Sequence, residues 1–290
     1  MRKIIVVLAL LCAKIAQAQI YIDSYRFAQA GPVNLLLDDY PGAAAAYSLR
    51  KLDKDYIGSA IEIQRVFPAG ITNIGFDSNG DLDVAAINTY CSGTTCTVLT
   101  WYDQSGNGND LTTSGSNQPT IYAAGSIQTS SGKPALNFDG SNDYLIKSAL
   151  NITQPFSVFA TFEEKSRAAT NPIFDSESPR STVFASSSTQ QIAVISGIVV
   201  NGGILTIAPH IVSSVHNASS SYLNVDGTNR FTNQNIGANS IGDLAIGWNN
   251  GGNKLAFANM YMSEFIVYSS NQIANISNIE NNINSYYSIY

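Results

Sequence analysis

The chain has 290 residues, with 15 Lys+Arg against 21 Asp+Glu and a formal charge of −6. Only 12% of its residues are charged, about half the usual share for a globular chain, whereas Asn and Ser together fill 62 positions and Gly another 22. That balance excludes a coiled coil, a long-helix bundle and a multi-span membrane protein, and the acidic sign gives no electrostatic route to nucleic acid.

At the start, Met1-Arg2-Lys3 is basic, Ile4 to Ala13 is apolar, and Ala16-Gln17-Ala18 places small residues at a cleavage site. This order predicts a secretory signal peptide cut after Ala18. The apolar run is too short to span a bilayer, so no transmembrane segment is expected after cleavage. Removal of residues 1–18 takes Arg2, Lys3, Lys14 and Cys12 with it and lowers the charge to −9. The mature chain keeps Cys91 and Cys96, an even pair separated by Ser92-Gly93-Thr94-Thr95, which reads as a disulfide in an exported protein. A metal pair is the competing reading, and without neighbouring His or further Cys it makes a poor site.

Most predicted elements are strands. Ala60 to Gln64 alternates apolar and polar, and Thr97 to Tyr102 is β-branched and aromatic. Phe156 to Phe162, Ile192 to Val200, Ile211 to Val215, Tyr222 to Val225, Leu244 to Trp248 and Tyr261 to Tyr268 complete the set. Turn clusters such as Asn137 to Asn142 and Asp226 to Asn229 separate them, which predicts an antiparallel sandwich in one domain. Two segments read as helices. One is capped by Asp81 and holds Leu82, Ala85, Ala86 and Ile87 within about 81–90. The other, near the C-terminus, carries an apolar stripe at Ile273, Ile276, Ile279 and Ile283. Ser178 to Gln191 is polar and Ser-rich and reads as a long loop.

Few residues carry chemistry. Asp103, Ser105, Asn107, Asn109 and Asp110 present oxygens that suit calcium, and they equally suit a tight turn built from Asx side chains and glycines. His210 and His216 stand six apart around one strand, with no acid or Cys close in sequence. Glycoside cleavage requires one carboxylic acid and one carboxylate. Asp175-Ser176-Glu177 is the best local pair, since an i, i+2 spacing on a strand points both the same way. Pro172 and Pro179 bracket it and support a loop instead. Asp226, Glu264, Asp139 and Asp143 read as turn or strand residues. Trp248-Asn249-Asn250-Gly251-Gly252-Asn253 offers an indole to stack on a sugar and amides to read its hydroxyls, and it serves as well for an Asn-Gly turn beside a core Trp.

Three stretches carry a family likeness: Tyr40 to Arg50, Tyr90 to Cys96, and Trp101-Tyr102-Asp103-Gln104-Ser105-Gly106-Asn107-Gly108-Asn109-Asp110-Leu111. Together they resemble the catalytic-domain family of α-L-arabinofuranosidase B. The resemblance implies an all-β, concanavalin A-like (laminin-G-like) jelly-roll β-sandwich, and it supports the Cys91–Cys96 disulfide. It spans roughly residues 38–287 and is denser before about 145. The expected organisation is a signal peptide 1–18, a lead-in 19–37 and one sandwich domain 38–290.

The family pattern also implies a sugar pocket over two adjacent cysteines, a Glu nucleophile in an Asp-x-Glu strand, and an acid in a Gly-Gly-Asp-Asn loop. Here the matching places read Pro172-Ile173, Ile195-Ser196-Gly197 and Trp248-Asn249-Asn250-Gly251. An amide cannot donate a proton at neutral pH. The sequence therefore predicts an exported protein that binds a glycan or surface polysaccharide through Trp248, Asn249, Asn250 and Asp175 without cleaving it. One alternative is an arabinofuranosidase using Asp175 and Glu177. A second is a structural part of a virion or cell surface, roles in which the same N-terminal signature also occurs. Calcium at Asp103, Asn107, Asn109 and Asp110 is the one cofactor considered.

Overall fold

The computed structural model describes residues 35–167, 169–177, 179–249 and 256–290. The predicted signal peptide, most of the lead-in, and Asn250 with residues 251–255 lie outside the described residues.

Strands dominate and pair antiparallel in one continuous 19-stranded sheet, which packs as two layers about a shared core. The first layer is organised about Phe156–Glu164, which pairs with Pro209–His216 on one side and Asn259–Tyr268 on the other. It continues through Ser221–Val225 and Thr228–Gln234 at one edge, and through Ala43–Ser48 at the other. In the second layer one group holds Gly70–Ile74, Ile61–Arg65 and Cys96–Trp101. The other runs Leu145–Lys147, Leu244–Ile246, Asn171–Asp175, Thr182–Ala185, Gln191–Ile195 and Val199–Ile204.

Strand alternation sorts the side chains. Val158, Ala160, Phe162 and Val212 face inward and pack with Ile61, Val98, Phe174, Val183, Val194 and Ile246 in the main core. Phe159, Ile211, Val215 and Ile266 face the other way. The helix Ile276–Tyr287 covers them with Ile276, Ile279, Ile283 and Tyr287, joined by Leu36 and Leu37 of the short helix Leu36–Asp39. The fold is thus the expected all-β sandwich with a C-terminal helix. Cys91 and Cys96 form the expected disulfide, and both are buried.

Four expectations need correction. The helix Val84–Tyr90 is capped by Asp83, whose side chain accepts from the Ala86 amide at 2.9 Å, while Asp81 accepts from the Tyr286 hydroxyl. Ile273 precedes the C-terminal helix and is 43% exposed. Ile192 to Val200 is not one strand but a hairpin that turns at Gly197, where φ is +110°. Within the stretch read as a loop, Thr182–Ala185 is a strand, because Val183 and Ala185 reach the main core once neighbours pair on both sides.

Candidate functional site

Asn171–Asp175 carries its proline at a register shift, so the missing amide of Pro172 costs no regular ladder bond. Asp175 ends the strand, opposite Ala245, and is completely buried. Glu177, two residues on, lies exposed on the following loop, so the two carboxylates do not share a strand face. That loop returns through Arg180, whose Nε lies 3.2 Å from Asp175 Oδ1 and whose Nη2 lies 3.1 Å from Oδ2. The same Nη2 donates to Asn249 Oδ1 at 3.2 Å. One guanidinium thereby joins two of the sequence-predicted residues, Asp175 and Asn249.

Trp248 is half-buried. Its ring lies 4.8 Å from Tyr144 and 6.3 Å, nearly parallel, from Phe257, so it belongs to a three-ring stack.

Behind Arg180 the sheet holds a buried hydroxyl–imidazole cluster. Ser181 Oγ lies 2.6 Å from Ser196 Oγ, and Ser196 Oγ lies 2.8 Å from His216 Nδ1. Ser214 Oγ lies 3.1 Å from His216 Nε2, and the imidazole stacks on Phe156 at 4.3 Å. Burial pushes the His216 pKa down to about 3, because the apolar surroundings disfavour the charged ring. Asn239 ties the cluster to the loop: its Nδ2 donates to the Arg180 carbonyl and its amide to the Ser196 carbonyl, both at 2.9 Å. A Cβ at Gly237 would stand 2.2 Å from the Ser196 carbonyl oxygen, so the chain passes here only without a side chain.

His210 shares the inward face with His216, as their even separation implies, but sits at the far end of the strand. Its Nδ1 lies 2.6 Å from Asp226 Oδ2, and its Nε2 faces Thr206. Asp143 is buried, and its pKa rises to about 7 through burial and the nearby Asp139 charge. Its carboxylate accepts the Asp139 amide at 2.9 Å and closes the Asn137–Asn142 turn.

The loop after Trp101 lies elsewhere. Asp103 Oδ1 accepts from the amides of Ala46 and Ser105 at 2.8 and 2.9 Å. Its Oδ2 accepts from the Ser105 hydroxyl and the Asn109 amide at 2.8 and 3.0 Å. Asn107 and Asn109 donate side-chain N–H bonds to the carbonyls of Ala43 and Ala44, and Asp110 accepts the Asp103 amide. These side chains bind the loop to the strand Ala43–Ser48. Among the described residues no group of three or more His, Cys, Asp or Glu side chains is placed to hold a metal ion.

Residues 37–152 match the family model described as "Alpha-L-arabinofuranosidase B, catalytic". That stretch, two fifths of the chain, resembles the arabinofuranosidase B catalytic domain. Alpha-L-arabinofuranosidase B of Emericella nidulans is 34% identical over 110 residues, which are 36% of this chain and 22% of that protein. The Aspergillus niger enzyme of the same name is 38% identical over 85 residues, 29% of this chain and 17% of that protein. The aligned region is therefore less than a quarter of these relatives' length. Two solved structures share the fold at 16% identity, each covering 83% of this chain and 62% of its own. An α-L-arabinofuranosidase with a cyclic sulfate inhibitor gives a TM-score of 0.68. An arabinofuranosidase complexed with arabinofuranosyl-α-1,2-xylobiose gives 0.64. The fold likeness thus reaches well beyond residue 152, into the half that holds Asp175, Arg180 and Asn249.

Sequence reasoning missed Arg180, Ser181 and Asn239 as members of one site. Their segments meet only through strand pairing, and none carries a local pattern. Among the described residues no helix is long and apolar enough to cross a membrane.

Proposed function

We propose that this chain acts on arabinofuranosyl-bearing glycans as an exported, α-L-arabinofuranosidase-type glycoside hydrolase. The likeness of residues 37–152 to arabinofuranosidase B carries the reading. The meeting of Asp175, Arg180 and Asn249 in the second half gives it a place to act. In this reading Asp175, set against the Arg180 guanidinium, is the carboxylate that attacks carbon or activates water. Glu177, on the adjoining loop, protonates the leaving oxygen. Trp248 and Asn249 position the sugar. The test is release of 4-nitrophenol from 4-nitrophenyl α-L-arabinofuranoside. The wild type turns over, and Asp175→Asn or Glu177→Gln lowers kcat at least about 100-fold. Full activity in both variants would remove these residues from the reaction.

A second reading, glycan binding without cleavage, is favoured by one observation. Asp175 is fully buried in its ion pair, whereas a nucleophile has to reach the sugar. On this reading the wild type binds arabino-oligosaccharides and releases no arabinose.

A further inference from the structure

Exposed apolar side chains gather on one strip of the surface. Among the described residues ten large apolar side chains are exposed, and four of them lie within 198–207: Ile198 at 47%, Val199 at 57%, Ile204 at 67% and Ile207 at 58%. Val199–Ile204 is the terminal strand of its group and pairs with Gln191–Ile195. Its inward side is full, since Gly202 is buried and a Cβ there would stand 2.3 Å from Leu223 Cδ2. The four exposed side chains thus lie outside a core that is already packed.

The strip also lacks charge. From Ser181 to Val225 the sequence holds no Asp, Glu, Lys or Arg, and its two histidines are buried. Charges stand only at the margins of the strip. Arg167 donates to the Leu205 carbonyl and pairs with Glu164, and Arg230 reaches toward Gly203 from the other layer. That layer ends differently. Its terminal strand, Thr228–Gln234, exposes Thr, Asn, Arg and Gln side chains, the kind of edge that keeps chains apart. An apolar edge without charge invites another chain instead.

We propose that Ile198, Val199, Ile204 and Ile207 form a docking surface for a second copy of this chain, joined about a two-fold axis. Charge selects that occupant. The formal charge of −6 makes two copies repel, and the repulsion is least where they meet without charged side chains. Electrostatic complementarity, which singles out a foreign partner, has nothing to read on this strip. A two-fold axis lays the strip on itself, aliphatic against aliphatic. Four half-exposed side chains supply part of the ~800 Å² that each partner of a standard interface buries, so the dimer is reversible and forms at roughly 10 µM. Its formation does not depend on what the site near Asp175 binds.

Sedimentation equilibrium from about 1 to 200 µM reads the association. Wild type should pass from monomer to dimer across that range, and added salt should not weaken the dimer, because no ion pair holds it and the net charge is screened. Val199→Lys and Ile204→Lys should each weaken association at least about tenfold, with thermal unfolding checking that both fold. Phe67→Lys, at an apolar side chain exposed elsewhere, should leave the dimer intact. A chain that stays monomeric throughout would assign the strip to another occupant and overturn the proposal. Wild-type association in folded Val199→Lys and Ile204→Lys, or dissociation by salt, would overturn it as well. Species that keep growing beyond the dimer would contradict the two-fold axis.

Discussion

The halves of the chain on either side of residue 152 differ in how their polar side chains are used. The first half carries the recognisable signature, yet its most distinctive run, Asp103 to Asp110, spends its side chains tying a loop to the strand Ala43–Ser48. The second half has a weaker likeness in sequence, and it brings Asp175, Arg180, Asn249 and the Ser196–His216 cluster together. A local motif survives in sequence where backbone turns demand particular residues. A side-chain cluster assembled from separate strands and loops has no such local imprint.

The sharpest way to break this contrast is to cut what joins the halves. Arg50 and Glu264 form a buried ion pair with contacts of 2.8 and 3.0 Å, and the Ser48 hydroxyl adds a third bond to Glu264. Arg50→Ala leaves Glu264 buried without its partner and should cost roughly 3–5 kcal/mol in urea unfolding. A loss below 1 kcal/mol would show that the halves do not depend on this pair.

Acid should then act through the second half. His216 has its folded pKa depressed to about 3 from an ordinary 6.5, so the unfolded chain takes up its proton first. Its contribution is present above pH 6.5 and is lost as pH falls toward 3, amounting to roughly 3 kcal/mol by pH 4. Unfolding between pH 7 and pH 4 reads this share as the difference in slope between wild type and His216→Phe, and equal slopes would contradict it.

Asp103→Ala probes the first half. It strips a carboxylate that accepts four hydrogen bonds and should cost roughly 2–3 kcal/mol, by chemical denaturation, with ligand affinity of the folded protein unchanged. A change in affinity would move the site toward this loop.

Asp143 acts over the same pH range with the opposite sign from His216 and a comparable size. Its folded pKa lies above the ordinary carboxylate value, near 7, so its stabilising share is present below about pH 4 and fades as pH rises through 7. Asp143→Asn should remove that slope in the same unfolding series.

Much of the fold was legible in the residues. Alternation at Phe156 to Phe162 located a strand with two distinct faces, and the Ile stripe located the last helix. Asp175, Trp248 and Asn249 were also legible as site candidates, because an indole and amides at a strand end advertise themselves. Two things were hidden. The polar surroundings of Thr182–Ala185 masked a strand that pairing with two neighbours creates. The role of Arg180 was hidden as well, since its partners lie five and sixty-nine residues away.

Heteronuclear NMR titration with an arabino-oligosaccharide tests the central claim, that the second half holds the site. Amide shifts should concentrate at 175–181, 239 and 244–249, with residues 103–110 unmoved. Shifts confined to 103–110, or none at Asp175, Arg180 and Asn249, would contradict it.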